Sequence, residues 1–287
     1  MEFISILIVL GLLQLWGSGG PLQHDDWFEW LSDKVRGLIA SPEFSLIAMV
    51  GIPCLLLLGL QILVYSLLFG LLSLVLFVSV LLFSLGRGDF SEGIQRYLSA
   101  WNHGNFESAL KQAENIEGFE ADSVTDHIGL HEQVRSAVLY DGYQRWFAVV
   151  FWFLLLGPVG ALAYRLSFLT MRSESLTDDH RELSQRFVFY LDWLPARLLA
   201  FSFCLAGNFV NGFNYCVEKL LESFPTEEFL VSSGLAAISS FDEKQAYPED
   251  EERFIEYARK ELIALQSLLS RSVMCWLIVI AIITLAS

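Results

Sequence analysis

Residues 44–86 carry no Asp, Glu, Lys or Arg, and this run limits the fold more than any other feature of the chain. At about 1.5 Å of rise per residue it makes more helix than a hydrocarbon core of about 30 Å needs, and in lipid each backbone N–H and C=O must find its partner inside protein. Two apolar helices joined by a tight turn meet both conditions, near Ser45–Tyr65 and Leu67–Leu85. A third uncharged run, Trp146–Tyr164, collects Trp146, Phe147, Phe151, Trp152 and Phe153 at one end, as an interfacial aromatic belt does. Residues 198–217 form a fourth, and Ser272–Ala286 a fifth, preceded by Leu262–Ser270 and interrupted only by Arg271, whose guanidinium can snorkel to the interface. The opening FISILIVLGLLQLW follows Glu2 with no basic residue before it, so it lacks the positive region of a signal peptide and reads as a retained anchor or span.

Hydrophobic residues make up 54% of the 287, above the share of ordinary soluble domains, about 45–50%. The expected fold is all-α: a polytopic helical membrane protein with cytoplasmic helical loops. Its expected organisation is membrane segments over 1–85 with three apolar helices, a soluble helical loop over 86–145, central membrane segments over 146–217, an acidic helical loop over 218–271 and a C-terminal membrane helix over 272–287. The basic residues near span ends are more numerous in the long segments than in 165–189, which puts the long loops in the cytoplasm. Residues 165–189 are nonetheless denser in arginine, and the second long segment changes sides if 198–217 lies in the interface instead of crossing.

The first polar segment reads as helices. Asp89 followed by Glu92 resembles a capping box, and Ile94, Tyr97, Leu98 and Trp101 then share a face until Gly104. Asn105 caps a second helix with Phe106, Ala109, Leu110, Ala113 and Ile116 on one side, ended by Gly118. A lone helical hairpin buries too little to stand alone, so this face must pack elsewhere on the chain. A third helix from about Ile128 runs into the span at Trp146. The last polar segment closes with a long helix that starts at Pro248 and Glu249–Glu252, is supported by the pairs Glu249/Arg253 and Glu256/Lys260, and continues into the membrane on a stripe of Phe254, Ala258, Leu262, Leu265 and Leu269. Residues 223–246 have no clear pattern.

Candidates for chemistry are few. The net charge of −15 argues against nucleic acid as a partner, since phosphate binding needs clustered Lys and Arg. Cys54, Cys204, Cys216 and Cys275 lie in or beside apolar segments without metal or redox spacing and read as small buried hydrophobes. His127 and His131 have the i,i+4 spacing of two zinc ligands, but the sequence offers no matching third, so they read as a solvated helix face and no metal or other cofactor is expected. No phosphate-binding, dinucleotide or hydrolase motif is present.

The stretch YLDWLPARLLAF, residues 190–201, is richer. Asp192 with Pro195 reads as a helix start at an interface. Stepping by three and four from Arg197 then gives Phe201, Cys204, Asn208, Asn211, Tyr215 and Glu218, a stripe that turns polar within an uncharged run. Amides facing lipid would lack partners, so this face points at other helices or at a wet cavity, as interhelical glue or as a ligand site.

LDWLPARLL at 191–199 and GPVGALAYRL at 157–166 resemble the AmpE family of bacterial inner-membrane proteins, linked to ampicillin resistance through β-lactamase induction. That family in turn looks like a distant relative of the CobD/CbiB membrane synthases of cobalamin biosynthesis. The synthase pattern, roughly DDxxNWxPARL, matches Trp193, Pro195, Ala196, Arg197 and Leu198, but its acids fall on Val188 and Phe189 and its asparagine on Asp192. After GALAYR this chain reads LSFLTM and has no carboxylate before Glu174. Amide-forming chemistry that consumes a nucleotide needs carboxylates to hold metal and place phosphates, so the resemblance implies a regulatory protein of the inner membrane without catalytic residues. A small ligand or a protein partner would bind Asp192, Arg197, Asn208 and Asn211 together with Tyr164 and Arg165 of the second motif. The alternative is a working amide-forming synthase, and a transporter ranks below both because no inverted repeat is visible.

Overall fold

The computed structural model describes residues 1–16, 24–39, 41–65, 70–86, 89–121, 124–173, 177–220, 222, 224–238, 247 and 250–286. Among them it has no strand, and it divides into two compact units: Met1–Gly88 with Ala148–Trp193, and Asp89–Phe147 with Leu194–Ser287. The expected all-α fold with long apolar helices is the observed one.

The first unit holds α1 (Glu2–Trp16), α2 (Asp26–Leu38), α3 (Pro42–Tyr65), α4 (Leu71–Ser84), α8 (Val149–Arg172) and the first half of α9 (Asp178–Ala206). Helix α3 is long enough to cross a membrane, whereas α1 and α4 are shorter than a span of about 20 residues wants. Ser5, Ser45, Ser73 and Ser84 are buried here, and the Ser84 hydroxyl donates to the carbonyl of Val80, one turn back. Helix α2 is amphipathic. It turns Phe28 and Val35 into a core with Met49, Leu57, Leu162 and Leu166 and leaves Trp30 outside. Helix α8 bends at Gly157 (φ 66°), followed by Pro158, which has no N–H to give the helix ladder.

The second unit is built on α5 (Phe90–Asn102), α6 (Phe106–Ala113), α7 (His127–Gly142), α10 (Phe209–Lys219), α11 (Thr226–Ala237) and α12 (Glu251–Ala286). The two expected N-caps are present: Asp89 accepts from the Glu92 N–H at 3.1 Å, and Asn105 from the Ser108 N–H at 2.9 Å. Gly104 and Gly118, at φ 63° and 96°, end the two stretches, a conformation a side chain would resist. The apolar face of the α5–α6 hairpin does pack elsewhere, since Ile94, Tyr97, Trp101, Ala109 and Ala113 share one core with Val134, Val138, Phe254, Ala258 and Leu262 of α7 and α12. Helix α7 runs through a π-helical turn, Tyr143–Ala148, into α8 without a break, as expected from Ile128 onward. The Phe254–Leu269 stripe is buried as read, and Glu256 pairs with Lys260 at 2.7 Å. Thr226–Ala237 adds a helix where the sequence shows no pattern.

Two expectations fail. Asp192 and Pro195 do not begin a helix, because α9 starts at Asp178 and carries Pro195 in its interior. Residues 198–217 are not one helix either. α9 ends at Ala206 and α10 begins at Phe209, so the apolar helix of this region lies earlier in the chain than its sequence boundary. The expected turn between Tyr65 and Leu67, and Arg87, Glu174, Pro248 and Glu249, lie outside the described residues.

Candidate functional site

The two motif stretches meet. In the first unit Tyr164 of α8 donates its hydroxyl to Asp192 Oδ1 of α9 at 2.8 Å, and both side chains are 1% exposed. The next residue, Arg165, is equally buried and reaches the Asp25 carboxylate at 4.0 Å, just before α2, with its guanidinium 5.8 Å from the Phe168 ring. Two successive positions of α8 therefore tie it to two other helices, one through a neutral donor and one through a charge. Ionisable groups at membrane depth are costly and rare, and they mark functional positions by default.

Pro195 in mid-helix removes the N–H that would bond the Leu191 carbonyl. The indole Nε1–H of Trp152 donates to that carbonyl instead, at 3.3 Å. A neighbouring helix thus satisfies the group that the proline strands, and α9 continues through Asp192 toward Arg197.

Arg197, Asn208 and Asn211 belong to the second unit and do other work. Arg197 Nε and Nη2 donate to the carbonyls of Leu220 (3.1 Å) and Glu222 (3.0 Å) beyond the end of α10, while the guanidinium stacks 4.7 Å from the Phe229 ring. Those carbonyls are of the kind a helix end leaves open, so this arginine acts as a C-terminal tie. Asn208 caps α10, accepting from the Asn211 N–H at 3.2 Å, and its own N–H donates to the Ala237 carbonyl at 2.7 Å. The Asn211 side chain is exposed. The polar stripe read through Arg197, Asn208 and Asn211 is therefore cut at Gly207, because Asn208 satisfies the start of a new helix instead of continuing the old one.

The solvated-face reading of the histidine pair also needs correction. His131 is 1% exposed, its Nε2 lying 2.9 Å from Glu261 Oε1, and Arg135 Nη1 donates to the same oxygen at 3.2 Å and to the Tyr247 hydroxyl at 3.1 Å. Tyr247 in turn donates to Glu132 at 3.1 Å. This network lies in the charged N-terminal parts of α7 and α12, ahead of the uncharged runs that begin at Trp146 and after Arg271. Burial alone pushes the Glu261 carboxyl up, but the hydrogen bond and charge of His131 and the Arg135 guanidinium outweigh it and hold it below its ordinary value. The sequence did contain a signal. Glu261 sits at helical spacing inside the Phe254–Leu265 apolar stripe, and Arg135 follows His131 by four, beside Val134 and Val138. A second polar knot, at the π-helical turn, joins Asp141 to Arg145 through two hydrogen bonds of 3.2 and 3.1 Å and to Gln144 at 3.0 Å. No group of His, Cys, Asp and Glu among the described residues is arranged to hold a metal.

A family model described as regulatory signalling modulator protein AmpE matches residues 1–285. The chain is 29% identical over 147 residues to a cobalamin biosynthesis protein CobD of Chromobacterium violaceum, an alignment that covers 50% of this chain and 46% of the relative. The match thus spans about half the length of that relative. No solved structure matches. With a family match along nearly its whole length, and with both motif stretches joined by the Tyr164–Asp192 hydrogen bond, the chain belongs to the AmpE family of regulatory signalling modulators.

Proposed function

We propose that this protein is an inner-membrane regulator that modulates β-lactamase induction in response to cell-wall recycling, by binding a small ligand or a protein partner at the Tyr164–Arg165 junction of α8. One observation carries the reading: consecutive buried side chains of a membrane helix hold Asp192 of α9 and Asp25 beside α2. A ligand with its own hydrogen-bonding or charged groups competes for these partners, and each contact it replaces releases a helix. An equilibrium moved in this way changes by the ligand's differential affinity for the two arrangements. Family membership supports the regulatory role, and the Val188 and Phe189 positions, apolar where the synthase pattern has acids, support a role without turnover.

The test is β-lactamase activity before and after a β-lactam challenge in cells carrying Asp192→Asn, Tyr164→Phe or Arg165→Gln, with protein levels matched by immunoblot. Allosteric couplings of about 1–3 kcal/mol correspond to changes of about 5–150-fold, so a fall in the induction ratio of about fivefold or more is expected. Unchanged induction at unchanged protein level rejects the reading. The similarity to the CobD relative supports a second reading, an amide-forming synthase. Under it, deletion would create a corrinoid requirement, and purified protein would couple an amine to a corrin acid with nucleotide and metal.

A further inference from the structure

Helix α10 has three faces, and only two are accounted for. At about 100° per residue, Gly212 and Cys216 fall on one side. That side is buried, with Cys216 Sγ 3.6 Å from Cys204 Sγ of α9. Asn211, Asn214 and Glu218 fall on a second, exposed and polar. The third holds Phe209, Val210, Phe213 and Val217 within an arc of about 100°, and these are 51%, 66%, 39% and 52% exposed. Helix α9 has a matching seam, since Leu194, Leu198, Phe201 and Leu205 lie along one line of it and Leu205 is 67% exposed. The two surfaces are continuous: the Phe201 and Phe213 rings are 6.3 Å apart, and Phe209 stacks on Phe213 at 5.2 Å. Only Gly207 and Asn208 separate the end of α9, long and apolar enough to cross a membrane, from the start of α10.

We infer that α10 lies along the membrane–water boundary, with Phe209, Val210, Phe213 and Val217 sunk among lipid acyl chains and Asn211, Asn214 and Glu218 in water. An amphipathic helix of this kind buries its apolar face about 5–10 Å into the headgroup–acyl boundary. The occupant is lipid because the apolar arc extends the outward seam of a span and the polar arc adjoins it, as a boundary requires. The chain then stays on one side of the membrane from Gly207 through α11.

The test uses the full-length protein in phosphatidylcholine vesicles containing a phospholipid with a diazirine on its acyl chain, either near the carbonyl or at the terminal methyl. Adducts are mapped by peptide mass spectrometry, with Leu55 and Leu56 of α3, both strongly exposed, as an internal standard for span residues. The shallow probe is expected to label the 209–217 peptide about tenfold more than the deep probe does, while the deep probe labels α3. Phe213→Asp/Val217→Asp is expected to abolish the α10 adducts and leave those on α3. Deep labelling of α10 equal to that of α3 would overturn the inference in favour of a crossing helix. Absence of α10 adducts while α3 is labelled, or crosslinks joining α10 of two copies, would overturn it in favour of water or a second protein as the covering partner.

Discussion

The indole of Trp152 donates to the Leu191 carbonyl at 3.3 Å, the carbonyl that Pro195 leaves without its helical N–H. A proline inside a helix ordinarily costs about 3 kcal/mol, and a carbonyl stranded in a dry interior about 1–3 kcal/mol. Trp152→Phe keeps an aromatic ring but removes the donor together with part of the indole, so thermal unfolding in detergent is expected to show a loss of about 1–3 kcal/mol from the unmet carbonyl. Pro195→Ala restores an N–H to the same carbonyl, and in the Trp152→Phe background it should recover more stability than in the native chain. Additive effects in this double-mutant cycle would show that the two residues do not share an acceptor.

The buried network on α7 and α12 predicts a pH dependence. The Glu261 carboxyl is held below its ordinary value of 4.5 by His131 and Arg135, against the opposing effect of burial. A depressed carboxylate contributes stability that is present above its unfolded value and lost as pH falls through the folded one. The melting temperature should therefore drop on acidification below 4.5, and Glu261→Gln should flatten that drop. Glu261→Ala leaves the Arg135 charge buried without its carboxylate and should cost about 3–5 kcal/mol at neutral pH. Adding Arg135→Met should return part of that loss. A Glu261→Ala protein with native stability would mean that the network is solvated.

What the sequence revealed and what it hid divide by range. The caps at Asp89 and Asn105, the stops at Gly104 and Gly118 and the α12 stripe are local patterns, and each lies where periodicity and turn chemistry put it. Asp192 is legible as a candidate site residue of one motif, but its partner Tyr164 stands 28 residues away in the other, and nothing in the sequence pairs the two. His131 and Glu261 are separated by 130 residues, so the apolar stripe around Glu261 signals its burial but nothing local names its partner. Pro195 misled because a proline beside an acid is a good helix start whenever no other group serves its stranded carbonyl. Here a tryptophan 39 residues earlier in the chain does.

The break between α9 and α10 makes the last prediction. A Cβ added at Gly207 would stand 2.4 Å from the Ala237 carbonyl oxygen at the end of α11, closer than any side chain is tolerated, and the obstacle is backbone that cannot rotate away. The same oxygen accepts the Asn208 N–H at 2.7 Å, so relieving the clash also breaks the bond that joins the start of α10 to α11. Gly207→Ala should then cost about 1–3 kcal/mol by overpacking and raise amide exchange in α10 and α11 while leaving α5–α7 protected. Gly59, with nothing within 4 Å of an added Cβ in α3, is the control, because Gly59→Ala removes backbone entropy from the unfolded chain and should be neutral or stabilising by up to about 1 kcal/mol. If the two substitutions behaved alike, α10 would be held by its buried Gly212–Cys216 face alone, and the Asn208–Ala237 bond would be incidental to its position.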